Sequence, residues 1–256
     1  MFLDKFKKTM HALCGDINGK TLFVSSDVST LLSDSLEFGV MIDLNEIIDL
    51  LYKLVGEQGN LIFPTYNWDF CKGITFDYYK TKSRTGALPR IVLKRKDFIR
   101  TQHPIYSFAV KGKDADFLAS LDYRDAFGAD SIFAWFAKVK AQNLFINVPY
   151  QHSATFVHHI EEKNKVNYRF IKNFTADYID KNGLLSNKTY SMFVRYLDRE
   201  IITTVDPMHE VFLDKGIVKE TKFINTKLRL LDMQKAYMVV EENIVLHNCD
   251  RLVIIN

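Results

Sequence analysis

The stretch Thr155-Phe156-Val157-His158-His159-Ile160-Glu161-Glu162 sets two imidazoles and two carboxylates around a short apolar pattern. If it opens a helix, His158 and Glu161 share a face, because side chains three apart are neighbours. The carboxylate then orients the imidazole or raises its basicity, and an imidazole titrating near neutrality accepts a proton from an attacking nucleophile. Such help matters most for an amine, which has no lone pair while protonated. A plainer reading has one histidine capping or packing and the other facing water. A zinc-protease reading fails, since adjacent histidines point in different directions around a helix and the His-x-x-x-His pair with its intervening Glu is missing.

A second chemical stretch is Arg100-Thr101-Gln102-His103-Pro104-Ile105-Tyr106-Ser107. Pro104 favours an extended entry and leaves His103 just outside a strand, where loops carry ligand contacts. Arg100 suits a phosphate and Ser107 offers a hydroxyl, unless the segment only fastens a loop. A third, Ser25-Ser26-Asp27-Val28-Ser29-Thr30, can present hydroxyl and amide donors to a pantetheine or phosphate, or cap the segment that follows. The sequence has no phosphate loop, dinucleotide fingerprint or Gly-x-Ser-x-Gly elbow, which tells against kinases, nicotinamide enzymes and serine hydrolases.

These residues need a scaffold, and the apolar pattern supplies one. Phe2, Phe6, Met10 and Leu13 predict an amphipathic helix, and Thr21 to Ser25 a buried strand. Asp43 with Glu46 opens a helix that ends at Gly56, and Asn60 to Pro64 is the next strand. Ile105 to Val110 and Leu144 to Val148 read as further strands, with a helix at Asp114 to Leu121. The alternation predicts an α/β fold: a central, largely parallel sheet flanked by helices. Ligands of such sheets sit beyond the carboxyl ends of the strands, where Ser25, Ser26, Thr65, Tyr66 and the His158 segment emerge. Residues 1–170 read as the core of a single domain. Residues 171–256, with strands at 168–174, 190–197 and 251–255 and a helix at 232–241, read as a smaller lobe on that core.

The 256 residues, 47% apolar and 25% charged, suit an ordinary globular chain. Thirty-four Lys and Arg against 31 Asp and Glu leave a mild positive charge, and no nucleic-acid-binding motif accompanies it. Short basic runs such as Lys80 to Arg84 suit a phosphorylated small ligand instead. No long uncharged apolar run predicts a signal peptide or membrane span, so a cytoplasmic location is expected. Three scattered cysteines, Cys14, Cys71 and Cys249, fit a reducing compartment and predict no metal site.

Taken in order, Leu22 to Ser26 (LFVSS), Gly56 to Thr65 (GEQGNLIFPT), Phe76-Asp77, Thr85 to Leu88 (TGAL), Arg100 to Ser107, Phe127-Gly128 with Ser131, Leu144 to Val148 and Thr155-x-x-His158-x-x-Glu161 resemble the aminoglycoside 3-N-acetyltransferase family. The resemblance covers about residues 20–170. It implies acetyl transfer from acetyl-CoA to an amine, with His158 as base, Glu161 as its companion and Thr155 among the donors to the developing oxyanion. It further implies Ser25, Ser26, Ser107, Arg100 and His103 near the cofactor or acyl site, and Asp77, with Tyr66 and Asp69, near the acceptor. No cysteine is placed to carry an acyl group, which favours direct transfer. The chain departs from the family at Ser25, where members usually have histidine, and at Asn147 and Pro149, where glycine is common. Leu31 to Val40 replaces a glycine-rich stretch.

The overall basicity, with Lys80, Lys82 and Arg84, favours as acceptor an amino sugar of a nucleotide sugar or surface-glycan precursor, which implies a role in polysaccharide biosynthesis. Aminoglycoside acetylation conferring antibiotic resistance is one alternative, and Asp69, Asp77 and Glu161-Glu162 could form the acidic pocket it needs. A non-catalytic CoA- or glycan-binding protein is another, and a thioester hydrolase a third. A monomer or homodimer, without nucleic acid, membrane or metal, is expected.

Overall fold

Phe2, Phe6, Met10 and Leu13 are all buried along one side of the first helix, as their spacing requires. In the computed structural model, which describes residues 2–255, the elements run α1 (Phe2–Cys14), β1 (Thr21–Ser26), α2 (Ser29–Glu37), α3 (Leu44–Val55), β2 (Asn60–Pro64), β3 (Phe76–Asp77), α4 (Ala87–Val92), β4 (Ile99–Arg100), β5 (Phe108–Gly112), α5 (Ala115–Ser120), α6 (Ile132–Lys138), β6 (Gln142–Ile146), α7 (Val157–Lys163), β7 (Arg169–Ile179), β8 (Leu185–Arg195), β9 (Ile201–Thr203), α8 (Met208–Asp214), β10 (Val218–Phe223), β11 (Thr226–Asp232), α9 (Met233–Leu246) and β12 (Val253–Ile255). No helix among the described residues is long and apolar enough to cross a membrane.

Seven strands form the main sheet in the order β10-β11-β6-β1-β2-β5-β4. Its middle, β6-β1-β2, is parallel, and both flanks are antiparallel. Because side chains alternate along a strand, Leu22 and Val24 of β1 pack against α1, α3 and α4 while Phe23 faces the other layer. There the Phe23 ring stacks on Phe136 of α6 at 5.0 Å. The fold is therefore the helix-flanked α/β sheet that the sequence predicts, with its parallel part at the centre.

Three details differ from the sequence reading. The stretch expected as a lobe after residue 170 supplies β10 and β11 to the main sheet, where β11 pairs with β6. Ile105 to Tyr106 is outside the strand: Nδ1 of His103 accepts the amides of Ile105 and Tyr106 at 3.3 and 3.1 Å, so the ladder starts only at Phe108. The segment in place of the glycine-rich stretch includes most of the helix α2. Its buried Asp34 accepts hydrogen bonds from Asn225 and Thr226, tying α2 to the β10–β11 turn.

Beside the main sheet lies a three-stranded one, β3-β7-β8, built on an antiparallel ribbon of two eleven-residue strands. A two-stranded pair, β9-β12, closes the chain. At the end of β5, Gly112 has φ +139°, and a Cβ there would stand 2.1 Å from the Gly59 carbonyl oxygen. Gly112→Ala is expected to cost more than about 2 kcal/mol, read as a fall in the denaturation midpoint; an unchanged midpoint would contradict the close approach.

Candidate active site

The helix α7 is short, and its packing fixes it. Phe156, just before it, stacks on Tyr237 of α9 at 5.0 Å, and Lys163 pairs with Glu241 at 2.8 Å. Val157 and Ile160 are buried on the inner side. Successive helical side chains diverge by about 100°, so the two histidines part company. His159 donates from Nδ1 to the Phe127 carbonyl at 2.6 Å and anchors the helix. His158 turns to a cavity, its ring edge-on to Phe127 at 5.1 Å.

Glu161 is 2% exposed and fully engaged. Its Oε2 accepts from Nδ1 of His158 at 2.7 Å and lies 2.9 Å from Nε of Arg169, while Oε1 accepts from the Tyr168 hydroxyl at 2.9 Å. Burial alone would push this carboxyl up in pKa; His158, Arg169 and Tyr168 outweigh it and hold it below its ordinary value. The carboxylate only accepts, so it keeps the His158 proton on Nδ1. Burial, then the Arg169 charge, lower the His158 pKa against the opposing pull of Glu161. The result is a neutral imidazole whose Nε2 lone pair has no partner among the described residues and opens on the cavity.

That cavity, of about 430 Å³, is lined by His158, Thr155, Trp68, Arg169, Arg195 and Thr203 among others. A second cavity of about 430 Å³ lies beyond the carboxyl ends of β1 and β2, lined by Ser25, Ser26, Tyr66, Thr85 and Val148 among others. The two share Trp68, His152, Ser153 and Thr155. Thr155 thus stands at their junction, three residues before His158. In the second cavity the Ser26 hydroxyl is buried without a partner among the described residues. The Tyr66 hydroxyl faces Thr155 without an aligned hydrogen bond. Ser25 also lines this cavity, its hydroxyl 3.4 Å from Asn143 Oδ1.

Other residues singled out by sequence fall elsewhere. Arg100 is buried and lines none of the cavities described: it donates to the carbonyls of Tyr78 and Thr81 at 3.0 and 2.7 Å and to Ser107 at 3.1 Å. Burial lowers its pKa to about 10. Ser107 is wholly interior, bonded to Thr65. His103 is interior too, stacked on Tyr123 at 5.2 Å, and burial drops its pKa to about 3, so it stays neutral. These three fasten loops around the sheet and line neither of the two cavities that meet at Thr155. Asp77 caps the turn after β3, accepting from the amides of Tyr79 and Lys80. Asp69 is held bidentately by Arg84 at 2.8 and 2.9 Å. Neither carboxylate lines the two cavities that meet at Thr155.

Sequence reading missed Tyr168 and Arg169, which reach Glu161 from the start of the ribbon, and also Trp68, His152 and Arg195. The only local signal was an aromatic-basic pair seven and eight residues beyond Glu161. Among the described residues no three metal-ligating side chains stand together.

Solved structures share this architecture. The aminoglycoside acetyltransferase AAC(3)-Xa superposes with a TM-score of 0.78 at 19% identity, over 94% of this chain and 92% of its own. AAC-IIIb, in a binary complex with CoASH, gives 0.78 at 17% over 95% and 96%, and YokD from Bacillus subtilis 0.76 at 17% over 96% and 99%. At such identities the likeness is one of fold. No curated protein sequence matches the chain. The fold and the sequence profile together define an acetyl-CoA-dependent N-acyltransferase. The chain belongs to the aminoglycoside 3-N-acetyltransferase family, whose profile matches residues 35–244.

Proposed function

We propose that the protein moves an acetyl group from acetyl-CoA to an amine of an aminoglycoside-type amino sugar, with His158 as general base. One observation carries the reading: a neutral imidazole, its tautomer fixed by a buried carboxylate, presents a free Nε2 to a cavity that meets a second one at Thr155, three residues away. Acetyl-CoA supplies the activated acyl group. Cavity chemistry fits it, since apolar Phe23, Leu32 and Val148 line the same cavity as the unpartnered Ser26 hydroxyl. His158 takes the proton from the amine as its nitrogen bonds to the acetyl carbon. The carbon–sulfur bond breaks, and His158 returns the proton to the departing thiolate. Glu161 stabilises the transient imidazolium, and the Thr155 hydroxyl, which lines both cavities, is a side-chain donor for charge growing on the carbonyl oxygen. Such a donor contributes about 3 kcal/mol in comparable reactions.

The family description favours an aminoglycoside acceptor over the nucleotide-linked or surface-glycan sugar that the chain's basicity suggested. One observation favours a second reading, an amino sugar with fewer amines. Glu161 is the only carboxylate among the described residues lining the His158 cavity, and it is already engaged, while Arg169 and Arg195 add positive charge. A polycation gains little there. Thiol release from acetyl-CoA, measured with aminoglycosides, monoamino sugars and nucleotide-linked amino sugars, separates these acceptors. Release without any amine identifies a hydrolase, and no release with any amine overturns the proposal.

Ser26→Ala gives a quieter test of the cofactor side. Because the hydroxyl has no partner among the described residues, stability should hold, while KM for acetyl-CoA rises about fivefold, the worth of one hydrogen bond of about 1 kcal/mol. An unchanged KM removes Ser26 from the site.

A further inference from the structure

Arg169 of β7 and Arg195 of β8 stand directly opposite each other in the ribbon, and both line the His158 cavity. Side chains paired this way share a face of the sheet, and like charges so placed repel. One of the two is answered: Arg169 lies 2.9 Å from Oε2 of Glu161 and donates to the Phe193 carbonyl at 3.3 Å. Arg195 is exposed, and among the described residues its side chain makes one hydrogen bond, to the Ile201 carbonyl at 3.2 Å, and has no carboxylate partner. Asp206, next to Val205 in the chain, is outside the lining and accepts the Gln151 amide at 3.2 Å. The fold therefore holds a repulsive pair with one cation left open to the cavity.

The bond to Ile201 sets Arg195 beside β9, where the wall turns polar. Thr203 and Thr204 line the cavity there, and their hydroxyls have no hydrogen-bond partner among the described residues. Gln151 holds this stretch in shape: its Nε2 donates to the Thr203 carbonyl at 3.0 Å and its Oε1 accepts the Val205 amide at 2.9 Å. A guanidinium fork flanked by hydroxyls matches a carboxylate or a phosphate. His158 faces the same space, since Arg169, opposite Arg195, touches the carboxylate that orients the imidazole. At about 430 Å³ the cavity falls in the lower part of the range for small-molecule sites, room for one sugar ring carrying both groups.

We propose that Arg195, with the hydroxyls of Thr203 and Thr204, receives an oxyanion borne by the same molecule that offers its amine to His158. The acceptor is then an anionic amino sugar, its carboxylate or phosphate held at β8 and β9 and its nitrogen at α7. This deepens the reading of an acceptor with few amines and rests on acetyl transfer for the role of His158; anion recognition itself does not need it.

The test is calorimetric titration of the CoA-saturated protein with glucosamine, its 1-phosphate, its 6-phosphate and glucosaminuronic acid, alongside thiol release from acetyl-CoA with each. At least one anionic sugar binds wild type about tenfold more tightly than glucosamine, the worth of a hydrogen bond to a charged group. Whether the phosphates or the uronic acid show the preference tells which oxyanion the site takes. Arg195→Gln brings the preference to within about twofold, Arg195→Lys restores part of it, and salt shrinks it in wild type. If the glutamine variant melts lower than wild type, Thr203→Val, which suits a strand and removes one hydroxyl, carries the test with a loss of about fivefold. A preference absent from wild type, or one that survives both Arg195→Gln and Thr203→Val, overturns the proposal. Binding preference without thiol release for any amine leaves the anion site standing and overturns the catalytic reading; release with no preference does the reverse.

Discussion

His158→Ala lowers kcat for amine acetylation by about a thousandfold, the usual contribution of a positioned general base, while CoA binds as before. Among the described residues the side chain makes one hydrogen bond, to Glu161, which keeps Tyr168 and Arg169 after the substitution. Stability should therefore fall little, and the loss is one of chemistry. The pH profile carries the same signature. The imidazole must be neutral to accept a proton, and burial and Arg169 depress its pKa below the ordinary histidine value of 6.5. Activity should thus hold through neutrality and decline only as pH drops through that depressed value. An acid limb centred above pH 7, marked by about half-maximal kcat/KM there, would show that another group supplies the base. So would a variant retaining a tenth or more of wild-type turnover, about 1.4 kcal/mol in barrier.

Glu161→Gln is expected to damage both folding and catalysis. It leaves the Arg169 guanidinium, 7% exposed, without its counter-charge, and breaking a buried pair on one side costs about 3 kcal/mol. It also frees the tautomer of His158, because an amide donates as well as accepts; losses of about 10²–10⁴ in kcat follow when an orienting carboxylate is removed this way. The linkage has a definite sign. Glu161 has a folded pKa below its unfolded value of 4.5, so its ionisation stabilises the fold fully above that value. The contribution is lost as pH falls through the lower, folded value. Chemical denaturation between pH 7 and pH 3 should therefore show a shallower acid decline for Glu161→Gln than for wild type. Equal slopes would mean that the carboxylate is not ionised in the folded protein.

What could be read from the sequence was what local geometry decides. His158 and Glu161 lie three apart on one helix, and Ser25 and Ser26 end a buried strand, so spacing alone brings each pair together. Arg100, His103 and Ser107 are types that suit a ligand, but what such side chains face depends on burial, which local spacing does not decide. Arg100 spends its donors on carbonyls 19 to 35 residues away. Tyr168 and Arg169 stayed hidden because the chain must leave α7 and turn into the ribbon before they reach Glu161. The β10–β11 hairpin was lost among charged alternations such as Lys219, Glu220 and Lys222, and its place beside β6 rests on contacts some 80 residues apart.

The ribbon of β7 and β8 lies outside the main sheet, yet its Met192 to Arg195 segment forms one wall of the His158 cavity. The wall can therefore be re-lettered while the layered core and the His158–Glu161 pair stay as they are. A lineage can change its guest by rewriting one strand. Selection experiments that randomise Met192, Val194 and Arg195 alone have a short route to new amines.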